Sequence, residues 1–271
     1  MKGRSSKKKK AEASLQYNVA ERRPIVIAID GTSASGKSTN ARRVAQALGF
    51  VYVDTGAMYR TLAWYCLKKG VDVRDPKAVA AVCRRWKTRL INVDNQVRLL
   101  VNGYYPEKEI RTAEVSAVVP YVAAVPQVRE WMKKRQRECV QFGNLVMEGR
   151  DIGSNVFPET EFKFFLDASL AERTRRRQAD GVQENLAARD QQDSQRAAAP
   201  LIIPLGAVVI DTSNLTPEQT TKRILQIIQE RLQHPPQKSS RPSNSAEESP
   251  SSSVPMPSSS PEGESPDSAE T

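Results

Sequence analysis

Residues 24–48 read PIVIAIDGTSASGKSTNARRVAQAL: an apolar run, an eight-residue loop and an amphipathic stretch with no spacer between them. Few local patterns restrict a fold as tightly. Pro24–Asp30 has the Val and Ile content of a buried strand, and Lys37–Leu48 repeats its apolar residues at helical spacing. Between them, Gly31–Ser38 matches GxxxxGKS. In that setting glycines let backbone N–H groups converge on phosphate oxygens, and the helix that follows adds its positive N-terminal end. Gly31, Thr32, Ser33, Ala34, Ser35, Gly36, Lys37, Ser38 and Thr39 are therefore the candidate triphosphate-binding residues. Lys37 is expected to reach the β and γ phosphates as a catalytic group, and the Ser38 hydroxyl to be a ligand of Mg²⁺.

The rest of the chain alternates short apolar runs with longer amphipathic ones, the pattern of strands and crossover helices in a parallel sheet. Strands are expected at 24–30, 50–54, 145–148, 161–167 and 207–211, giving a five-stranded α/β sheet. Helices are expected at 37–48, 58–69, 76–86, 126–142, 170–179 and 217–232. Arg89–Tyr105 breaks the alternation with β-type content and turn signals at Asp94-Asn95 and Asn102-Gly103, so a small antiparallel insertion is expected there. With 271 residues and 39% apolar content, one domain of roughly 200 residues with polar appendages fits, and two large domains do not. Six of the first ten residues are basic, and the stretch after His234 is rich in Ser, Pro and Glu, so residues 1–22 and 234–271 are expected to be disordered around a domain at 23–233. No apolar run reaches the roughly 20 residues of a membrane span, and the basic start lacks the apolar stretch of a secretory signal, so a cytoplasmic location is expected. Cys66, Cys83 and Cys139 lack metal-type spacing and read as reduced thiols.

The phosphate loop by itself does not separate a GTPase, a motor ATPase and a small-molecule kinase. A GTPase needs a DxxG segment and an NKxD-like base reader, which do not follow Ser38 in order, and a motor needs a longer chain. The arginines decide. Thr55 and Arg60 in DTGAMYR follow the second strand, Arg111 stands in EIRT, Arg150 in EGRDIG closes a strand, and Arg189 and Arg196 flank Asp193 in RDQQDSQR. Strand ends are where an open α/β sheet binds its ligand, and guanidinium forks match phosphate oxygens. Arg173, Arg176 and Arg177 share one side of a helix by spacing and read as a lid over the triphosphate, with Arg173 and Arg177 as candidate catalytic groups. A phosphate acceptor is already anionic and needs no general base, consistent with a single histidine, His234, at the edge of the tail.

Taken together, GTSASGKST, VDTGAMYR, EIRT, EGRDIG, FLDAS and RDQQDSQRAAAPL resemble, in order, the motifs of the bacterial cytidylate kinases over about residues 24–232. The resemblance implies a P-loop NTPase fold with a five-stranded parallel core, an NMP-binding insertion at about 88–110 and a lid at about 172–196. It implies ATP and Mg²⁺ with CMP or dCMP as acceptor; a monomer with no dedicated nucleic-acid partner is expected. It places Thr55, Arg60, Arg150 and Arg196 on the CMP phosphate, Asp193 with Arg189 on the ribose, and Arg111 with Asp151 at the base. Asp151 as an acceptor-only carboxylate suits the cytosine amino group and opposes the uracil oxygen. Thr32 departs from the family's usual Pro, and the lid is short. Two other readings are a kinase for UMP, AMP or a non-nucleotide acceptor, and a basic RNA-binding module suggested by the Lys-rich head and the net charge of +10.

Overall fold

A computed structural model describes residues 24–181 and 185–233; the expected disordered head and tail, with His234, lie outside the described residues. Strand β1 (Val26–Gly31) is buried along its whole length. It pairs in parallel with β5 (Leu145–Glu148) on one side and β6 (Phe162–Asp167) on the other. Covered on both faces, it has no reason to alternate polar and apolar residues, which is why its sequence reads as a continuous apolar run. Strand β2 (Val51–Asp54) lies beyond β5 and β7 (Val208–Asp211) beyond β6, both parallel, so all five expected strands are present.

Two further strands enlarge the sheet. β3 (Thr88–Val93) and β4 (Gln96–Val101) form an antiparallel hairpin, and β4 joins β2 in parallel at Tyr52 and Gln96. The result is seven strands in the order β3-β4-β2-β5-β1-β6-β7. The expected antiparallel insertion is thus an extension of the main sheet. Asp94 and Asn95 carry φ of 52° and 57°, the paired left-handed conformation of a two-residue hairpin turn.

The helices are α1 (Lys37–Leu48), α2 (Thr55–Lys68), α3 (Pro76–Arg85), α4 (Ala113–Ala124), α5 (Pro126–Glu138), α6 (Leu170–Ala179), α7 (Leu186–Ser194) and α8 (Pro217–Gln233). Helices α4 and α7 were not expected. AEVSAVVPYVAA is rich in valine and holds Pro120 inside the helix, which argues against helix locally. Val115, Val119 and Val122 nevertheless join the core formed with Met58, Leu62 and Cys66 of α2. Burying three valines contributes about 1.5–3 kcal/mol each, enough to offset a helix-interior proline at ~3 kcal/mol. Thr112 caps this helix by accepting from the Val115 N–H at 3.3 Å. All three cysteines are buried and free, as read, and burial pushes their thiols up to about 11 or 12. Among the described residues no helix is long and apolar enough to cross a membrane.

Candidate active site

At the C-terminal ends of β1, β5 and β2 the chain opens a cleft of about 840 Å³. The loop after β1 forms one wall. Gly31 has a φ of 148°, and a Cβ there would lie 1.9 Å from the Leu166 carbonyl oxygen, so only glycine lets β1 leave the sheet this close to β6. Thr32 Oγ1 donates to Asp167 Oδ1 at 2.7 Å, and Thr212 Oγ1 donates to the Ser35 carbonyl at 3.0 Å, which ties the loop to the ends of β6 and β7. Ala34 holds a left-handed φ of 59° without being glycine. Lys37 is buried and donates to the Thr32 carbonyl. Burial, then Arg150, pulls its ammonium well below the lysine range against the opposing attraction of Glu148 and Asp30.

Ser38 Oγ donates to Glu148 Oε2 at 2.9 Å, and the Tyr52 hydroxyl donates to the other oxygen. Burial, then Asp54, holds the Glu148 carboxyl above its ordinary range. A hydroxyl and a carboxylate are hard oxygen donors suited to Mg²⁺, which takes one or two protein oxygens and completes its shell from phosphate and water. Among the described residues, no group of three or more His, Cys, Asp or Glu is poised to hold a metal.

The opposite wall is cationic. Thr55 Oγ1 donates to the Glu148 carbonyl at 2.7 Å, and a Cβ on Gly149 would lie 2.7 Å from that same hydroxyl oxygen, so this glycine lets the two segments touch. Arg60 donates to Ser116 Oγ at 2.7 Å, and burial followed by Arg111 pulls its guanidinium down to about 10. Arg111 pairs with Asp54 at 2.8 Å, the same carboxylate that caps α2 through the Ala57 N–H. Arg150, Arg189 and Arg196 converge on the fully buried Asp193. Burial, then Arg129, Arg150 and Arg189, pulls Arg196 down to about 9. Asp151 Oδ2 pairs with Arg129 Nη2 at 2.7 Å and accepts from Asn155 Nδ2 at 2.9 Å. Asp30, at the end of β1, holds the turn behind Asp151 by accepting from the N–H groups of Ile152 at 2.8 Å and Gly153 at 2.7 Å.

A glycine-containing loop facing a pocket of arginines agrees with what comparison of the sequence finds. Residues 27–230 match the family model described as Cytidylate kinase. The chain belongs to the cytidylate kinase family. It is 45% identical over 220 residues to a cytidylate kinase of Anoxybacillus flavithermus, covering 77% of this chain and 98% of that one. It is 43% identical over 222 residues to a cytidylate kinase of Geobacillus kaustophilus, covering 78% and 99%. A bifunctional pantoate ligase/cytidylate kinase of Acaryochloris marina is 45% identical over 222 residues, covering 76% of this chain and 42% of the longer relative.

Every residue that lines the cleft falls within the stretch matched to the cytidylate kinase family. Of the residues singled out in the sequence, Ser33 to Thr39, Thr55, Arg60, Arg111, Arg150, Asp151, Arg176, Arg177, Arg189 and Arg196 line it. Gly31, Thr32, Arg173 and Asp193 do not. Gly31 and Thr32 are turned to β6, and Asp193 is enclosed by its three arginines. Arg173 corrects the expected lid face: it is buried, donating to the Ala168 carbonyl at 2.9 Å and pairing with Asp190 of α7. Arg176 and Arg177 of that face line the cleft, together with Arg175, with Arg177 Nη2 3.3 Å from Ser33 Oγ and Arg176 held to the Thr212 carbonyl at 2.7 Å. None of residues 88–110 lines the cleft; the lining around Arg111 comes from α2, α4 and α5, joined by Arg150 and Asp151 after β5 and by Arg189 and Arg196 at α7. Sequence reasoning missed Glu148, Tyr59, Arg129 and the Thr212–Pro217 loop. Glu148 had a signal, an acid closing the apolar strand LVME. Arg129 and Tyr59 had none, because a helical sequence does not announce which exposed-looking cation or phenol the elements packed beside it will bury.

Proposed function

We propose that this member of the cytidylate kinase family transfers the γ-phosphoryl group of ATP to CMP or dCMP. The observation that carries the reading is the pairing, across one cleft, of the glycine-rich loop with a wall of arginines that also holds the buried acid Asp151. ATP is assigned to the loop, with Lys37 and Arg177 toward its terminal phosphates and the Thr212–Pro217 loop beside it. The CMP phosphate is assigned to Thr55, Arg60, Arg150 and Arg196, the ribose to Arg189 with Asp193 behind it, and the base to Arg111 and Asp151. Ser38 and Glu148 would hold Mg²⁺, which supplies charge neutralisation between the β and γ phosphates. The protein's own contribution is positioning for in-line attack and exclusion of water, because the acceptor oxygen arrives already ionised. The acceptor-binding part is assigned to the segment from β3 through α5, and the lid to 172–196, in a monomeric cytoplasmic enzyme.

The decisive experiment is a coupled assay with ATP, Mg²⁺ and CMP, dCMP, UMP and AMP in turn, on the wild type and on Asp151→Ala. CMP and dCMP are expected to lead, and Asp151→Ala to lower the CMP/UMP ratio of kcat/KM by at least about tenfold, the scale of one lost base-reading hydrogen bond to a charged group. A wild type that prefers UMP or AMP overturns the acceptor assignment, and an unchanged ratio in the variant overturns the role of Asp151.

A further inference from the structure

Asn40 is out of character with its place. It is the fourth residue of α1, 2% exposed, on a helix whose neighbouring Ala41, Val44 and Ala45 face the core. Asparagine inside a helix competes with the backbone, and a buried amide destabilises unless both of its ends are paired. Both are. Nδ2 donates to the Gly36 carbonyl at 2.9 Å, the same oxygen that accepts from the Asn40 N–H at 3.1 Å. Oδ1 accepts from Thr221 Oγ1 of α8 at 2.9 Å. A Cβ on Gly36 would lie 3.2 Å from Nδ2, so the amide rests against the last glycine of the phosphate loop. Gly36 is left-handed, with a φ of 86°, and offers α1 no side-chain cap. Its carbonyl and the Lys37 N–H belong to one trans peptide and point in opposite directions. Drawing that carbonyl into α1 from two donors holds the Lys37 N–H outward from the helix N-terminus, on the side where an anion binds. At the other end, Thr221 is buried and follows Thr220, which lines the cleft. Helix α8 is entered from the loop Thr212–Pro217, and Thr212 donates its hydroxyl to the Ser35 carbonyl at 3.0 Å. Residues 213–220 are thus fastened to the phosphate loop at both ends, by Thr212 on Ser35 and by Thr221, through Asn40, on Gly36.

We propose that Asn40 is a positioning residue of the donor site: its amide couples α8 to Gly36, so that the phosphate loop and the Thr212–Pro217 loop meet ATP at one fixed spacing. This rests on the assignment of ATP to those two loops. A nucleoside triphosphate spans both at once, so an error in their spacing is felt in donor binding, whereas the acceptor is assigned to residues on other elements. Fixed spacing adds affinity without adding a contact, because less has to be ordered when the ligand arrives. Both polar ends of the Asn40 side chain are engaged within the protein, and it acts through Gly36.

The test measures the Kd of ATP with Mg²⁺ by calorimetry and the KM of CMP, with thermal unfolding, on the full chain. The variants are Thr221→Val, Thr221→Ser, Asn40→Ala, the double variant of Asn40→Ala with Thr221→Val, and Glu218→Ala. Thr221→Val keeps the shape and removes the hydroxyl; it is expected to weaken ATP by about fivefold with the KM of CMP within about twofold of wild type, while Thr221→Ser restores most of the affinity. Asn40→Ala is expected to weaken ATP by about tenfold, and the double variant no further, because both changes cut one chain of hydrogen bonds. Arg43 and Glu218 join the same two helices at 2.6 Å from exposed side chains, so Glu218→Ala loosens the helix pair and spares the amide. It is expected to bind ATP as the wild type does. Folded Thr221→Val and Asn40→Ala with wild-type affinity overturn the proposal. So do equal losses for ATP and CMP, an additive double variant, or a Glu218→Ala as weak as Thr221→Val. Where one single variant does not fold, the split between ATP and CMP in the other decides. A wild type that does not bind ATP overturns the donor assignment and the proposal with it; a wild type that binds ATP no better than its variants overturns the coupling and leaves the assignment standing.

Discussion

Asp30 is where the fold and the site meet, and its ionisation gives a measurable signature. It closes β1 with no exposed surface, and both of its oxygens hold the turn at Ile152 and Gly153 that follows Asp151. Burial outweighs those two N–H donors and the attraction of Lys37, so the carboxyl is pushed from an ordinary 3.8 up to about 7. A group whose folded pKa lies above its unfolded one binds its proton more tightly in the native state. Its stabilising contribution is then complete below pH 3.8 and is lost as pH rises through 7. At 1.36 kcal/mol per unit, the loss between pH 5 and pH 8 amounts to about 2–3 kcal/mol. Asp30→Asn cannot titrate. Its amide also turns a donor toward one of the two N–H groups, a mismatch of about 1–3 kcal/mol. Urea unfolding of both proteins at pH 5, 6, 7 and 8 should therefore show the variant less stable, with the gap narrowing by about 2–3 kcal/mol from pH 5 to pH 8. Titrations of Lys37, Glu148 and other groups enter both curves and largely cancel in the difference. A gap that stays constant, or widens with pH, refutes the raised carboxyl.

Lys37→Met keeps the apolar stem and removes the charge, so turnover should fall by at least about a hundredfold with the unfolding temperature little changed, and near-normal activity in a steady-state assay would overturn the phosphate-loop assignment. Arg173→Ala leaves Asp190 without its partner and opens space at the root of the lid. It should cost about 3 kcal/mol and lower the melting temperature by roughly 6–12 °C, whereas Arg177→Ala should lower kcat with the melting temperature unchanged. If calorimetry shows Arg173→Ala as stable as wild type, its structural role is wrong.

The parts of the molecule legible in the sequence are those whose cause is local. The five parallel strands carry their own β-branched or aromatic content, the loop at 31–38 carries its own glycines, and the Asp94-Asn95 turn carries residues that tolerate left-handed backbone. What escaped depends on contacts distant in sequence. Helix α4 exists because three valines find the α2 core, and propensity over AEVSAVVPYVAA points the other way. The spacing of Arg173, Arg176 and Arg177 placed them on one face, yet it could not say that Arg173 is close enough to Asp190 to be drawn inside. Arg129 illustrates the same limit, because the acid it pairs with, Asp151, lies 22 residues later and on a different element.

The arginine wall raises the question of how such a concentration of like charge is tolerated in a folded protein. Its own mutual repulsion is evident in Arg60 and Arg196, whose guanidiniums sit at about 10 and 9 after burial and their cationic neighbours have acted. The fold answers with acids placed behind the arginines. Asp54 takes Arg111, and Asp193 takes Arg150, Arg189 and Arg196 together. Three guanidiniums bring about fifteen N–H donors to a carboxylate with about four acceptor sites, so Asp193 can orient all three without exhausting them. This explains why Asp193 matters although it does not line the cleft. It draws side chains from β5's end and from the α7 region to one point, so under the proposed assignment a phosphate monoester would meet a preassembled set of donors. The entropy of gathering three long side chains is then met at folding, and an acceptor dianion bound there, as proposed, would relieve a repulsion the protein already carries.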